Sequence, residues 1–508
     1  MNPSHAPLKT PVALVAAFFI ALLWAYAIGW ALIGHPLFRD QHLGAALIYA
    51  KDGIDFLRPV IPGFNVNGTG TPQELPLWQA AAALGLKACG GWWGAANIVS
   101  LILFTALLPG LFFAAKWELD SPVAGWLALA LLVAQPIVFH MAGMAGTDGL
   151  SLALLVAFIG ASEWMRRRQC PVTIAVCALT AILLSVTKLP FLMVGGVAAA
   201  LMLLWNKASL RSWIVLILVG LVAAAVFMIW NHWCDAEIAR GEMRFRPMTL
   251  KENPRWFLGT LAMRLDPAIY IKAGWRALSC LWGSFLAVGF TLYGLWLRPK
   301  SLGSALLVGS LVVTMVFFNL VTVHRHYYLM FAPAVALLNT YALHDLLQRT
   351  ALRQWFSRLA VSLSLALLLL LSLGQGLLAI EAQFNADPFP IAVSQVLARE
   401  TSPGEKILTI NSGWGGEYLI RAQREGLTIN DTRPIEDATH RRRLRELGFT
   451  KIAIFSESPL LHALKVTNPG SAGLPRILWT DFILSDVAKS WPRSYESEDM
   501  VILPLPPN

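Results

Sequence analysis

Charge is scarce in this sequence. Its 508 residues hold 30 acidic and 40 basic side chains, 14% charged against 56% hydrophobic, and the mean hydropathy is +0.58. A soluble domain carries about 25% charged residues, so this balance excludes a soluble globular chain and points to a polytopic membrane protein. Cysteine is scarcer still: Cys89, Cys170, Cys177, Cys234 and Cys280 are scattered, with none in the last third. That scatter excludes a disulfide framework and a cysteine-ligated metal centre. Missing too are internal repeats, low-complexity segments beyond Ala/Leu-rich runs, a cleavable signal pattern and any single basic patch. The net charge of +10 is spread over short loops, which argues against a nucleic-acid surface and for positive-inside orientation.

What the chain does have is a series of apolar runs from Pro11 to Ile380, then a much more polar tail, Asn385 to Asn508. Many of its 20 tryptophans fall near the ends of the runs, as an interfacial belt requires. Lys and Arg placement predicts eleven transmembrane helices with the N-terminus in the cytoplasm and the tail outside. The spans are Pro11–Ile33, Ala95–Ala115, Pro122–His140, Asp148–Trp164, Cys170–Thr187, Leu189–Trp205, Trp213–Asn231, Gly274–Leu297, Ser304–Val323, Tyr327–Leu346 and Leu359–Ile380. Residues 1–384 then form a transmembrane module with outer-face loops over 34–94 and 232–273. Trp78 to Cys89, too short to span, reads as a surface helix. The tail, 385–508, reads as a periplasmic α/β domain, with strands over Lys406–Ile410, Lys451–Phe455 and Met500–Leu505 and a helix over Arg441–Leu447.

This topology sends four ionisable residues from distant parts of the sequence to the outer face. Asp40 follows the first span, Asp148 opens the fourth, Lys188 lies in Thr187-Lys-Leu-Pro190, and Arg325 lies in His324-Arg-His-Tyr-Tyr328. Charges at membrane depth are costly, and they face cavities, pair with one another or mark a pathway. Each also has a plainer role: solvated loop acid for Asp40, helix cap for Asp148, snorkelling anchor for Lys188, lipid-phosphate contact for Arg325. A carboxylate to take a proton and cations to hold a phosphate suit transfer from a phosphate-linked donor. Arg244, Arg246, Lys251, Arg255 and Arg264 add basic residues to the 232–273 loop. His140, His232, His324 and His326 lack ligand-type spacing, which argues against a histidine metal site.

The chain resembles the GT-C class of polyprenyl-phosphate-sugar-dependent glycosyltransferases, and within it the bacterial branch of protein O-mannosyltransferases and lipid A aminoarabinose transferases. The resemblance rests on Arg39-Asp-Gln-His42 after the first span, the helical Leu43–Asp55, Gln73-Glu-Leu-Pro-Leu-Trp78, Asp148, Lys188-Leu-Pro190 and Arg325-His-Tyr-Tyr-Leu-Met-Phe-Ala-Pro333. It extends to the tail's Leu444-Arg-Glu-Leu-Gly-Phe-Thr-Lys-Ile-Ala-Ile454. Two departures stand out: the family's acidic pair is Asp40-Gln41 here, and its double proline is Leu75-Pro76.

The resemblance implies an outer-face cavity taking a polyprenyl-phosphate-linked sugar and a lipid, glycan or protein acceptor in a bacterial inner membrane. Asp40 would be the general base of an inverting transfer. Lys188, Arg325 and Tyr328 would hold the donor phosphate, and Asp148 and Glu74 would position acceptor or sugar. No cofactor is implied with certainty, and a divalent metal stays open. A secondary transporter and a non-catalytic envelope-polysaccharide assembly protein are the competing classes. A transporter is expected to show paired half-repeats and midplane charges, which this sequence lacks.

Overall fold

The computed structural model describes residues 6–32, 38, 40–57, 74–240, 250, 253–349, 362, 365, 366, 369–377, 388–410, 416–429, 437–455, 492–497 and 500–505. By its internal contacts the chain divides into two compact units. The first takes in Met1–Leu37, Trp92–His232 and Met248–Ile380; the second takes in Phe38–Gly91, Trp233–Pro247 and Glu381–Asn508. The second unit thus gathers the tail with stretches that lie in the two outer-face loops of the sequence reading.

The first unit is helical: α1 (Ala6–Leu32), then, after two helices of the other unit (α2, Asp40–Asp52; α3, Leu77–Ala88), α4 (Gly94–Leu107), α5 (Pro109–Leu119), α6 (Pro122–Val133), α7 (Pro136–Ala142), α8 (Thr147–Arg167), α9 (Pro171–Trp205) and α10 (Leu210–Arg240), whose residues from Trp233 on belong to the second unit. Three short helices follow, α11 (Pro254–Leu258), α12 (Leu261–Leu265) and α13 (Pro267–Ala277), the last running into a π-turn, Leu278–Trp282. α14 (Phe285–Leu297), α15 (Leu302–Val316), α16 (Phe318–Val323), a 3₁₀ turn (Arg325–Phe331) and α17 (Ala332–Arg349) complete the series.

By length and composition, five helical stretches among the described residues can cross a membrane, and two sharply bent pairs raise this to seven. The protein is a multi-pass membrane protein. Three sequence expectations change in detail. The span read over Pro122–His140 is bent by 77° between α6 and α7. Pro136 supplies no N–H and keeps Gln135 extended (φ −69°, ψ 131°), so the helix cannot run through. The span read over Gly274–Leu297 is bent by 89°, because Gly283 takes φ +64° and Ser284 restarts the helix, its hydroxyl accepting from Ala287 N–H. The helix read as ending at Asn231 continues to Arg240. The segment read as the eleventh span lies largely outside the described residues.

α9 holds 35 residues, about 52 Å at 1.5 Å per residue and too long for one crossing. Its backbone leaves helical geometry at Lys188 (φ −160°, ψ 90°). Gly195, seven residues later, lies against Leu155 and Phe158, the same depth down α8 from Asp148, which Lys188 touches. The chain therefore reverses at Lys188, and α9 is two antiparallel limbs beside α8. α8 itself is buried on nearly every side, and a Cβ at Gly160 would strike the Gly110 backbone of α5. Small residues let these two backbones meet, the usual way helices associate in lipid.

In the second unit, α18 (Pro388–Glu400), β1 (Lys406–Ile410), α19 (Glu417–Ala422), β2 (Glu425–Ile429), α20 (Ala438–Glu446), β3 (Phe449–Phe455), β4 (Tyr495–Glu496) and β5 (Met500–Pro504) build a five-stranded sheet of order β2-β1-β3-β5-β4. β2, β1 and β3 are parallel, and β5 is antiparallel to β3. Alternation along β1 sends Leu408 and Ile410 to a core with Leu444 of α20, and Ile407 to a core with Leu397, Tyr418 and Leu419. Both faces are covered, as a parallel sheet requires. The sequence expectation of a small α/β domain holds; β2 escaped it because Glu425 and Gly426 dilute a five-residue run.

Candidate active site

α8 begins at Thr147, and its first turn carries Asp148, buried to 2% exposure. Lys188 enters from the reversal in α9, where Pro190 cannot donate to the carbonyl four residues back and the helix opens. Lys188 Nζ, in a residue only 7% exposed, donates to Asp148 Oδ1. Two charges withdrawn from water to this degree persist only when each compensates the other. Aromatic faces close the ammonium off: the Tyr327 ring centre lies 5.0 Å from Nζ and that of Phe191 5.9 Å.

Tyr327 belongs to the 3₁₀ turn Arg325–Phe331, so Lys188 packs on the segment that carries Arg325 and Tyr328. That turn is moored to α13 and its neighbours. Tyr328 Oη donates to the Ala273 carbonyl (3.2 Å), and Arg276 Nη1 donates to the carbonyls of Thr322 and, at 3.2 Å, Val323. Partial burial, reinforced by the Arg276 charge, holds the Arg325 guanidinium below its ordinary value. The rings of His324, His326 and Tyr327 lie 4.5 to 6.3 Å apart, and Trp256 meets His324 edge-on at 5.6 Å. Arg264, one of the basic residues of the 232–273 loop, donates to the backbone carbonyls of Leu258 (2.7 Å) and Met315 (2.5 Å), a structural use. Arg255 is exposed, whereas Arg244, Arg246 and Lys251 lie outside the described residues.

Asp40 and Glu74 belong to the second unit. The sequence reading began a helix at Leu43; in the structure α2 begins at Asp40 itself, whose backbone alone is described. His42 in the same first turn lies with Nε2 3.7 Å from Glu74 Oε2 and its ring 6.3 Å from that of the buried Trp78 of α3. Tyr49 and Ala50 of α2 complete the contact on Ala80 and Ala83.

The structure thus joins Asp148 to Lys188 and brings the Arg325–Tyr328 segment onto Lys188; Asp40 opens α2, and Glu74 lies in the bend three residues before α3. Sequence reasoning missed Tyr327, Arg276 and His42. The Tyr327-Tyr328 doublet was a visible signal, but which ring meets the cation depends on the turn. Among the described residues no three His, Cys, Asp or Glu side chains gather as a metal site.

No protein-family model and no curated protein matches the sequence. Solved structures do match. ArnT from Cupriavidus metallidurans bound to undecaprenyl phosphate superposes with a TM-score of 0.61 at 12% identity, covering 96% of this chain and 98% of that one. Its apo state gives 0.54 at 11% identity over the same shares. The Archaeoglobus fulgidus oligosaccharyltransferase tethered to an acceptor peptide containing the NVT sequon gives 0.50 at 12% identity, covering 88% of this chain and 69% of that one. The chain has the GT-C fold that its motifs suggested.

Proposed function

We propose that this protein is an integral-membrane glycosyltransferase. It moves a sugar from a polyprenyl-phosphate donor to an acceptor hydroxyl at the periplasmic face of a bacterial inner membrane. The observation that carries this reading is the fold shared over 96% of the chain with a protein bound to undecaprenyl phosphate. The buried Lys188–Asp148 pair beside the Arg325 turn supports it with suitable chemistry.

In this reading Asp40 takes the proton from the acceptor hydroxyl as its oxygen attacks the anomeric carbon, and the bond to the donor phosphate breaks with inversion. The polyprenyl phosphate leaves with both electrons of that bond. Lys188 and Arg325 offset the charge that develops on it; an ammonium has three hydrogens and can hold Asp148 and a phosphate oxygen together. Asp148 holds Lys188 and aims it, and Glu74 orients the acceptor or sugar. Tyr328 serves by mooring the Arg325 turn to α13, since its hydroxyl proton goes to Ala273.

The test compares glycolipids and envelope polysaccharides from cells carrying the intact protein, a deletion and Asp40→Asn. Deletion should remove a glycan modification, and Asp40→Asn, tested with purified protein, should lower turnover by about 10²–10⁴-fold, the worth of a general base. Full restoration by Asp40→Asn would overturn the assignment of the base. An unaltered glycan profile with accumulation of a small solute would favour a transporter.

A further inference from the structure

α2, the helix that opens at Asp40, is held by the tail as well as by α3. Phe38, two residues ahead of Asp40, lies under the guanidinium of Arg421, 4.9 Å from its ring centre. Arg421 is itself fixed, its Nε donating to Glu417 Oε1 at 2.7 Å one turn earlier on α19. α19 is rooted in the tail: Tyr418, Leu419, Ile420 and Ala422 are buried, and the Tyr418 ring stands 4.3 Å from that of Phe455 on β3. At the far end of α2, Lys51 Nζ lies 3.4 Å from Glu425 Oε1, where β2 begins. That pair is exposed on both sides and holds weakly. The Arg421–Phe38 contact is better shielded, with the Arg421 side chain 19% exposed, and cation–π contacts strengthen as water is removed. α2 also meets α3, through His42 beside Trp78 and Tyr49 on Ala80 and Ala83, and His42 reaches Glu74 just ahead of α3.

We propose that the tail is part of the catalytic scaffold: Arg421 is a positioning residue that, through Phe38, sets the start of α2 and with it the base at Asp40. This rests on the reading of Asp40 as general base. Proton transfer tolerates little displacement, and a misplacement of about 1 Å costs about 10²-fold in rate. A residue some 380 positions away in sequence then governs turnover without touching substrate.

The test uses the purified full chain with a polyprenyl-phosphate sugar. Arg421→Gln and Phe38→Leu should each lower kcat about tenfold with donor KM and Tm unchanged, a loss between perfect placement and a 1 Å shift. Arg421→Lys, which keeps a cation over the ring, should recover part of the loss. The double variant should be no slower than the slower single one, because both remove one contact. Backbone hydrogen exchange at residues 44–47, the first amides bonded within α2, should quicken in Arg421→Gln. Wild-type kcat in both variants, additive losses, or a loss that tracks a fall in Tm would overturn the proposal. If the wild-type protein transfers no sugar, the reading of Asp40 fails, while unchanged exchange at 44–47 in Arg421→Gln separately overturns the brace.

Discussion

Lys188 and Asp148 illustrate how a buried charge is tolerated only as half of a pair. Lys188→Met leaves the Asp148 carboxylate in an apolar setting and should destabilise the protein by about 3–5 kcal/mol, read as a drop in Tm in detergent. The double change Lys188→Met with Asp148→Leu should recover most of that stability while transfer stays lost, which separates folding from chemistry. Tyr327→Leu should weaken donor binding with a smaller effect on Tm, because it removes a cation–π face worth about 0.5–2 kcal/mol and leaves the ion pair intact. The sequence marked Asp148, Lys188 and Arg325 because charges are rare in apolar surroundings and so stand out. It could not mark Tyr327 or Arg276, whose roles depend on which carbonyl or ring the folded chain places nearby.

Helix breaks define the element scale. Pro136 and Pro190 are legible as breakers, but their consequences differ: one bends α6–α7 by 77°, the other opens a reversal that delivers Lys188. Gly283 is less legible, since a lone glycine in an apolar run has no fixed meaning. Here it takes φ +64°, and a Cβ would run into the Ser372 carbonyl. Gly283→Ala should therefore cost more than the roughly 1–2 kcal/mol of the left-handed backbone alone, measured by Tm. At the other ends of the helices, Glu118 of α5 accepts from Leu302 N (2.8 Å) and from the Tyr341 hydroxyl, joining α5, α15 and α17. Glu118→Leu leaves two buried donors unmatched and should cost about 1–3 kcal/mol for each.

For the molecule as a whole, the grouping of residues 38–91 with the tail means that acid unfolding of the tail should reach the helix bearing Asp40. Glu405 gives a handle on it. Burial opposes its ionisation, but the Ser402 N–H (2.6 Å) and Lys451 Nζ (3.1 Å) outweigh that and hold its carboxyl below the usual 4.5. A carboxyl depressed on folding stabilises the folded state above its unfolded pKa, and that contribution is lost as pH falls through the folded value. Hydrogen exchange in β1 and β3 should thus accelerate below about pH 4.5, and Glu405→Gln should be less protected at neutral pH but show a shallower dependence on acid.

The sequence by itself determined the membrane class, the positions of most helices, three of the five strands and the short roster of charges worth attention. These follow from composition, hydrophobic period and breaker residues, which act over a few positions. Tertiary structure decided that Lys188 meets Asp148, that Tyr328 donates to Ala273, that two apolar runs are bent, and that Arg421 lies on Phe38. Each of those joins residues far apart in sequence, and only the packing of whole helices brings such atoms within reach.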